Sequence, residues 1–228
     1  MVEFLFIDLD DTILDFHKAE HIALKKTLES FGIEPTETVC SRYSQINKIH
    51  WERLERKELT RQEVLVGRFA VLFEELNVAA DASECARRYA ENLSIGHYFL
   101  PGAQEAVERL SRKYKLYLAS NGTARVQAGR LASANISRFF QDVFISQDMG
   151  ADKPALEYFV RCFARIRGFD PARAMIVGDS LSSDILGGRN AGIATCWVNP
   201  DHKPGKPDIR PDYEIERLSQ LETLLETI

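Results

Sequence analysis

Two carboxylates one residue apart, in Asp8-Leu9-Asp10, close the first apolar run of the chain, Glu3 to Leu9. Successive side chains of an extended strand alternate faces, so residues two apart point the same way. Two like charges held side by side are costly unless a cation or a proton lies between them. Mg²⁺ suits such a setting, because it prefers oxygen donors and keeps several of its waters. An Asp-x-Asp pair alone is also ordinary turn chemistry, so its meaning depends on what else reaches it. Two further apolar runs end in a similar way. Leu116 to Ala119 leads into Ser120 and Asn121, and Ala174 to Val177 leads into Gly178 and Asp179. Asp179 would complete the charge around a cation held by the first loop.

These residues converge only if the runs are neighbouring strands. Residues 3–9, 115–119, 143–145, 174–177 and 193–198 are short and apolar, and helical stretches near 102–113, 124–134, 154–167, 182–191 and 216–228 alternate with them. That alternation implies an α/β fold with a parallel sheet covered on both faces. In an open parallel sheet, ligands bind outside the carboxyl ends of the strands, where Asp8, Ser120 and Asp179 would meet. The stretch from His17 to Ile95 contains no convincing strand. Four helices fit there, near 17–31, 37–57, 60–77 and 81–95, with Thr60 and Glu63 spaced as a capping box. It is too long for a simple crossover and reads as an inserted all-helical domain. The expected division is therefore a sheet domain from 1–15 and 98–228, and a helical domain from 16–97. Residues 200–211 read as a Pro- and Lys-rich loop.

The bulk properties exclude several classes. The 228 residues are 45% hydrophobic and 28% charged, which is ordinary for a globular protein. No run approaches the roughly 20 apolar residues of a membrane span, and the first strand lacks the basic leader of a signal peptide. A net charge of −5 argues against a nucleic-acid footprint but not against a small anionic substrate. Cys40, Cys85, Cys162 and Cys196 are far apart and form no C-x-x-C pair, so neither a zinc site nor a redox motif is expected. The expected setting is the cytoplasm, with no membrane and no nucleic-acid polymer as partner.

Four motifs in order resemble those of the haloacid dehalogenase (HAD) superfamily. They are Asp8-Leu9-Asp10-Asp11-Thr12 after Phe4-Leu5-Phe6-Ile7; Leu118-Ala119-Ser120-Asn121-Gly122; Lys153-Pro154; and Gly178-Asp179-Ser180-Leu181-Ser182-Ser183-Asp184. The resemblance implies a Rossmann-like core with a helical cap inserted after the first motif. It also implies a Mg²⁺-dependent phosphatase, with Mn²⁺ as a second candidate metal. On that reading Asp8 is the nucleophile, forming an aspartyl-phosphate, and Asp10 is the acid and then the base. Asp8, the Asp10 backbone carbonyl and Asp179 hold the metal. Ser120 and the amides of Asn121 and Gly122 bind phosphoryl oxygens. Lys153 neutralises Asp8 and the phosphate. Thr12 fixes the loop by hydrogen bonding, and Asp184 orders metal-bound water or the lysine from a second shell.

Asp11-Thr12-Ile13-Leu14-Asp15-Phe16, Ser120-Asn121-Gly122 and Gly150-Ala151-Asp152-Lys153-Pro154 resemble the pyrimidine 5′-nucleotidase branch, although Lys153-Pro154-Ala155-Leu156 lacks the second proline of many relatives. The branch implies nucleoside 5′-monophosphates such as dTMP, dUMP and UMP. A sugar-phosphate phosphatase or phosphomutase is the alternative, and a non-catalytic phosphate-binding or interaction module is the alternative from another class. Asp10 argues against a dehalogenase, which needs no acid to release halide. Each motif has a plainer explanation alone: Lys153 as helix-entry chemistry, Asp184 as a first-turn acid, Ser120-Asn121-Gly122 as a turn. Their joint order tips each towards function. His17 and His21, four apart, favour surface or packing roles over a metal. Phe16, Tyr43, His50, Trp51 and Phe69 are read as helical core before a base-binding pocket.

Overall fold

Phe4, Leu5, Phe6 and Ile7 are all fully buried, which a strand achieves only when both faces of its sheet are covered. The computed structural model, which describes every residue from Met1 to Ile228, makes this run the centre of the sheet. The chain divides into two compact units, residues 1–16 with 97–228, and residues 17–96.

The first unit contains β1 (Phe4–Ile7), and the chain then runs through α1 (Phe16–Glu29), α2 (Glu37–Glu55), α3 (Arg61–Glu75) and α4 (Ala82–Leu93) before it returns. The remaining elements are α5 (Ala103–Ser111), β2 (Lys115–Ser120), α6 (Ala124–Ala134), β3 (Asp142–Ile145), α7 (Ser146–Met149), α8 (Leu156–Ala164), β4 (Ala174–Gly178), α9 (Leu186–Ala191), β5 (Ala194–Val198), β6 (Tyr213–Ile215) and α10 (Leu221–Thr227). All six strands are parallel, in the order β3-β2-β1-β4-β5-β6.

Alternation along β1 sends Leu5 and Ile7 into one core and Phe4 and Phe6 into the other. The first core is closed by Ala106, Val107 and Leu110 of α5, Leu131 of α6 and Leu221 of α10. The second is closed by Tyr158, Phe159 and Cys162 of α8, and Phe6 stacks with Tyr117 at 5.3 Å between ring centroids. A side chain at Gly188 of α9 would collide with Ile176 and Thr195, so this helix lies directly on the strands. Strand order reverses about β1, with β2 on one side and β4 on the other, which opens a crevice at their carboxyl ends.

The structure departs from the sequence reading in three places. β1 ends at Ile7, so Asp8 and Asp10 lie in the loop rather than on a strand, although Asp8 N–H still bonds Val177 at 2.9 Å. The segment before α9 is a π turn, Leu181–Ile185, instead of a regular helix start. β6 was not anticipated: three residues beside Pro211 and Asp212 are too few to display a period, and only the register against Cys196–Val198 defines the strand. The four cysteines are free and buried.

The second unit is built from the four helices. Thr60 and Glu63 do form a capping box at the start of α3. Tyr43, Phe69 and Tyr89 are fully buried and pack on one another with centroids 5.0–5.6 Å apart, so these aromatics are core. His50 is buried too, bonding the Ile46 carbonyl at 2.8 Å, and His21 faces Glu37 at 3.9 Å. A polar chain crosses this interior. Asn47 donates to Glu20 at 2.7 Å, and Arg68 donates to Asn47 at 2.7 Å while lying over the Tyr89 ring.

Candidate active site

The loop after β1 reverses within a few residues. Ile13 and Leu14 N–H both bond the Leu9 carbonyl, and Asp11 adopts a left-handed conformation, which aspartate tolerates better than most residues. Asp11 then accepts a bond from Phe16 N–H at 2.9 Å. The expected fastening by Thr12 is absent: its hydroxyl is buried and has no hydrogen-bond partner in the chain, and backbone bonds close the loop instead.

Asp8 is 7% exposed, and its Oδ1 accepts a bond from Lys153 Nζ at 2.7 Å. The same ammonium donates to Asp184 Oδ1 at 2.6 Å and to the Ala119 carbonyl at 2.6 Å. At 1% exposure, Lys153 is a buried cation whose three donors are all engaged. The Asn121 amide holds its backbone, accepting from Lys153 N–H at 2.8 Å and donating to the Lys153 carbonyl at 2.8 Å. Asn121 therefore meets the lysine loop through its side chain, a role distinct from the phosphoryl contact expected of its amide.

Asp179 follows β4, and the indole of Trp197 on β5 donates to the Asp179 carbonyl at 2.8 Å. Asp184 reaches back from the π turn so that its second oxygen accepts Ser180 N–H at 3.1 Å. It occupies the space a side chain at Gly178 would need, which explains the glycine. Asp8, Asp179 and Asp184 each bring a carboxylate oxygen within 4.8 Å of the others.

These three acids face one lysine, a formal surplus of two negative charges. Burial pushes the Asp8 carboxyl up to about 8 despite Lys153, and Asp184 and Asp10 raise it further. Burial likewise holds Asp179 well above the carboxylate range, reinforced by Asp8 and Asp184. Burial alone would lower Lys153, but Asp184 and Asp8 outweigh it and keep the amine above its usual value. An all-oxygen donor set with a surplus of two negative charges fits a hard divalent cation such as Mg²⁺.

Asp10 lies elsewhere. Its carboxylate joins α6, forming an ion pair with Arg130 and accepting from Gln127 Nε2 at 2.6 Å. Ser120 Oγ accepts from the same Gln127 nitrogen at 2.8 Å and from Gly122 N–H at 3.2 Å. The Gly122 amide thus lies beside the Ser120 hydroxyl. Sequence reading missed Gln127 and Arg130. The signal was there: residues 126, 127, 130, 131 and 134 share the buried face of α6, and only 127 and 130 are polar.

Residues 5–198 match the family model of haloacid dehalogenase-like hydrolases. The chain belongs to this family. Within the HAD-like hydrolases it is an enzyme of the phosphatase type. A Bacillus subtilis protein named as a HAD-hydrolase, YfnB, is 40% identical over 97% of this chain and 94% of its own. The crystal structure of YfnB, described as bound to magnesium and as revealing interdomain movement, superposes with a TM-score of 0.94 over 98% of both chains. The pyrimidine 5′-nucleotidase PynA of Streptococcus pneumoniae is 37% identical, covering 93% of this chain and 90% of its own. The pyrimidine 5′-nucleotidase YjjG of Escherichia coli is 28% identical, covering 98% and 97%. No helix is long and apolar enough to cross a membrane.

Proposed function

We propose that this HAD-like hydrolase is a Mg²⁺-dependent phosphomonoesterase that uses Asp8 as a covalent nucleophile and acts on pyrimidine nucleoside 5′-monophosphates. The observation that carries the chemistry is the Asp8 carboxylate between one buried ammonium and two further acids, the half-buried Asp179 and the buried Asp184. The full-length likeness to PynA and YjjG supports the substrate class.

Asp8 attacks phosphorus, the bond to the substrate oxygen breaks, and an aspartyl-phosphate forms. Lys153 offsets the charge of Asp8 and of the arriving phosphoryl group, and Asp184 keeps that ammonium aimed. Asp10 gives a proton to the departing alcohol, then takes one from the water that cleaves the intermediate. Ser120 holds a phosphoryl oxygen. Asp8, Asp179 and the Asp10 carbonyl would hold Mg²⁺, which when bound lowers the repulsion between two approaching anions.

A panel of dTMP, dUMP, UMP and sugar phosphates, assayed with Mg²⁺ and with EDTA, tests the proposal. Turnover of the nucleotides well above the sugar phosphates, abolished by EDTA and in Asp8→Asn, is expected. Equal or faster turnover of sugar phosphates would reject the nucleotide assignment in favour of a sugar-phosphate enzyme. Undiminished activity in Asp8→Asn would reject the nucleophile.

A further inference from the structure

The mechanism above gives Gln127 and Arg130 no task, yet both are held deep in the protein. Gln127 is 2% exposed and Arg130 is fully buried, whereas the Asp10 side chain they grip is 27% exposed. Removing a guanidinium and an amide from water is costly unless specific partners replace the solvent. Here the partners converge. Arg130 Nη1 pairs with Asp10 Oδ1 and donates to Gln127 Oε1 at 3.2 Å. Gln127 Nε2 donates to Asp10 Oδ2 at 2.6 Å and to Ser120 Oγ at 2.8 Å. Both carboxylate oxygens of Asp10 are therefore fixed, and the same amide fixes the Ser120 hydroxyl. The two side chains project three residues apart from one helix, so their spacing is rigid. The cradle also excludes a side chain at residue 122, since a Cβ on Gly122 would collide with Gln127.

We infer that Gln127 and Arg130 are positioning residues, which aim the Asp10 carboxyl at the oxygen leaving phosphorus and lock it in register with Ser120. This rests on the phosphatase reading given above. The proton inventory closes over a turnover. In the first half the bond from phosphorus to the leaving oxygen breaks and that oxygen takes the proton of Asp10. In the second, water adds to phosphorus, its proton passes to Asp10, and the bond from phosphorus to Asp8 breaks. A misaimed Asp10 slows both halves, but expulsion of a leaving group that needs no proton escapes the first penalty.

The experiment compares wild type with Gln127→Met, Arg130→Lys and Arg130→Met, all with Mg²⁺, in single-turnover assays on 4-nitrophenyl phosphate and on UMP. In Gln127→Met, UMP cleavage is expected to fall about 100-fold and nitrophenolate release about 10-fold less than that, because the freed Ser120 slows both substrates whereas a misaimed Asp10 slows only the one whose leaving oxygen needs a proton. Acid-quenched protein should then carry more aspartyl-phosphate than wild type, because its hydrolysis also needs Asp10. Arg130→Lys should recover part of the UMP rate lost in Arg130→Met; if the latter does not fold, Gln127→Met and the ratio of the two substrates in Arg130→Lys decide. Equal losses on both substrates, or no loss on UMP, would overturn the inference. Asp8→Asn separates the two levels. If it remains active, the phosphatase mechanism falls and this inference with it. If it is dead while Gln127→Met slows both substrates alike, only the positioning role falls.

Discussion

Each unit of this protein buries charge, but the two do so differently. In the helical unit one acid and one base, Glu20 and Arg68, are joined through Asn47, and the aromatic faces of Tyr43, Phe69 and Tyr89 enclose the guanidinium. The charges cancel and every partner is internal. In the sheet unit Asp8 and Asp184 pair with Lys153, Asp179 lies within 4.8 Å of both acids, and two negative charges remain. A neutral buried network is explained by the fold. A charged one is a standing demand for a ligand, so the imbalance distinguishes a site from a core.

Removing one charge should therefore have opposite effects in the two units. Asp8→Asn should lower activity by at least about 10⁴-fold, and above about pH 8, where the folded carboxyl is ionised, it removes surplus charge and the metal-free protein should melt higher by about 3 °C. A lowered melting temperature would break the comparison. Arg68→Ala instead strands Glu20 and Asn47 without their cation, and should cost about 3 kcal/mol, measured by urea titration. An undisturbed midpoint would show that the helical network contributes nothing.

The pH dependence sharpens the same contrast. The folded Asp8 carboxyl titrates near 8, against an ordinary value of 3.8. Between those values the folded metal-free protein retains a proton that the unfolded chain has released, so stability falls as pH rises through the window. A divalent cation bound at Asp8 would replace that proton. Saturating Mg²⁺ should raise the melting temperature by about 5 °C at pH 8 and by clearly less at pH 5. An upshift that does not grow with pH would place the cation elsewhere. The smallest effect belongs to a position remote from either network. Thr60→Ala, which removes the capping box of α3, should cost about 1 kcal/mol by denaturant titration and leave turnover on 4-nitrophenyl phosphate unchanged.

Much of this architecture is legible in the sequence, because strands buried on both faces are short apolar runs and each announces its end by its first polar residue. Asp8, Ser120 and Asp179 fall at such ends. Lys153 and Asp184 do not, and only their order relative to the other motifs suggests a shared site. Three features resist reading for physical reasons. β6 is too short to show a period. Gln127 and Arg130 stand out as polar residues on an apolar helix face, but what they hold shows only once α6 is docked on its neighbours. The Asp10 side chain turns towards α6 because of partners about 120 positions away, information that no local pattern carries.

That separation has a temporal side. The ion pair between Asp8 and Lys153 joins positions 145 apart, and Asp184 lies another 31 further on. Proteins are synthesised from the N-terminus, and segments that emerge first begin to organise first. Asp8, Asp10 and the entire helical unit precede the ammonium that offsets the Asp8 charge. Until Lys153 has emerged and docked, the loop after β1 carries acids without their counter-charge. The cluster therefore cannot assemble until Asp184 has emerged, and a truncated chain ending before residue 153 would carry Asp8 without its counter-charge.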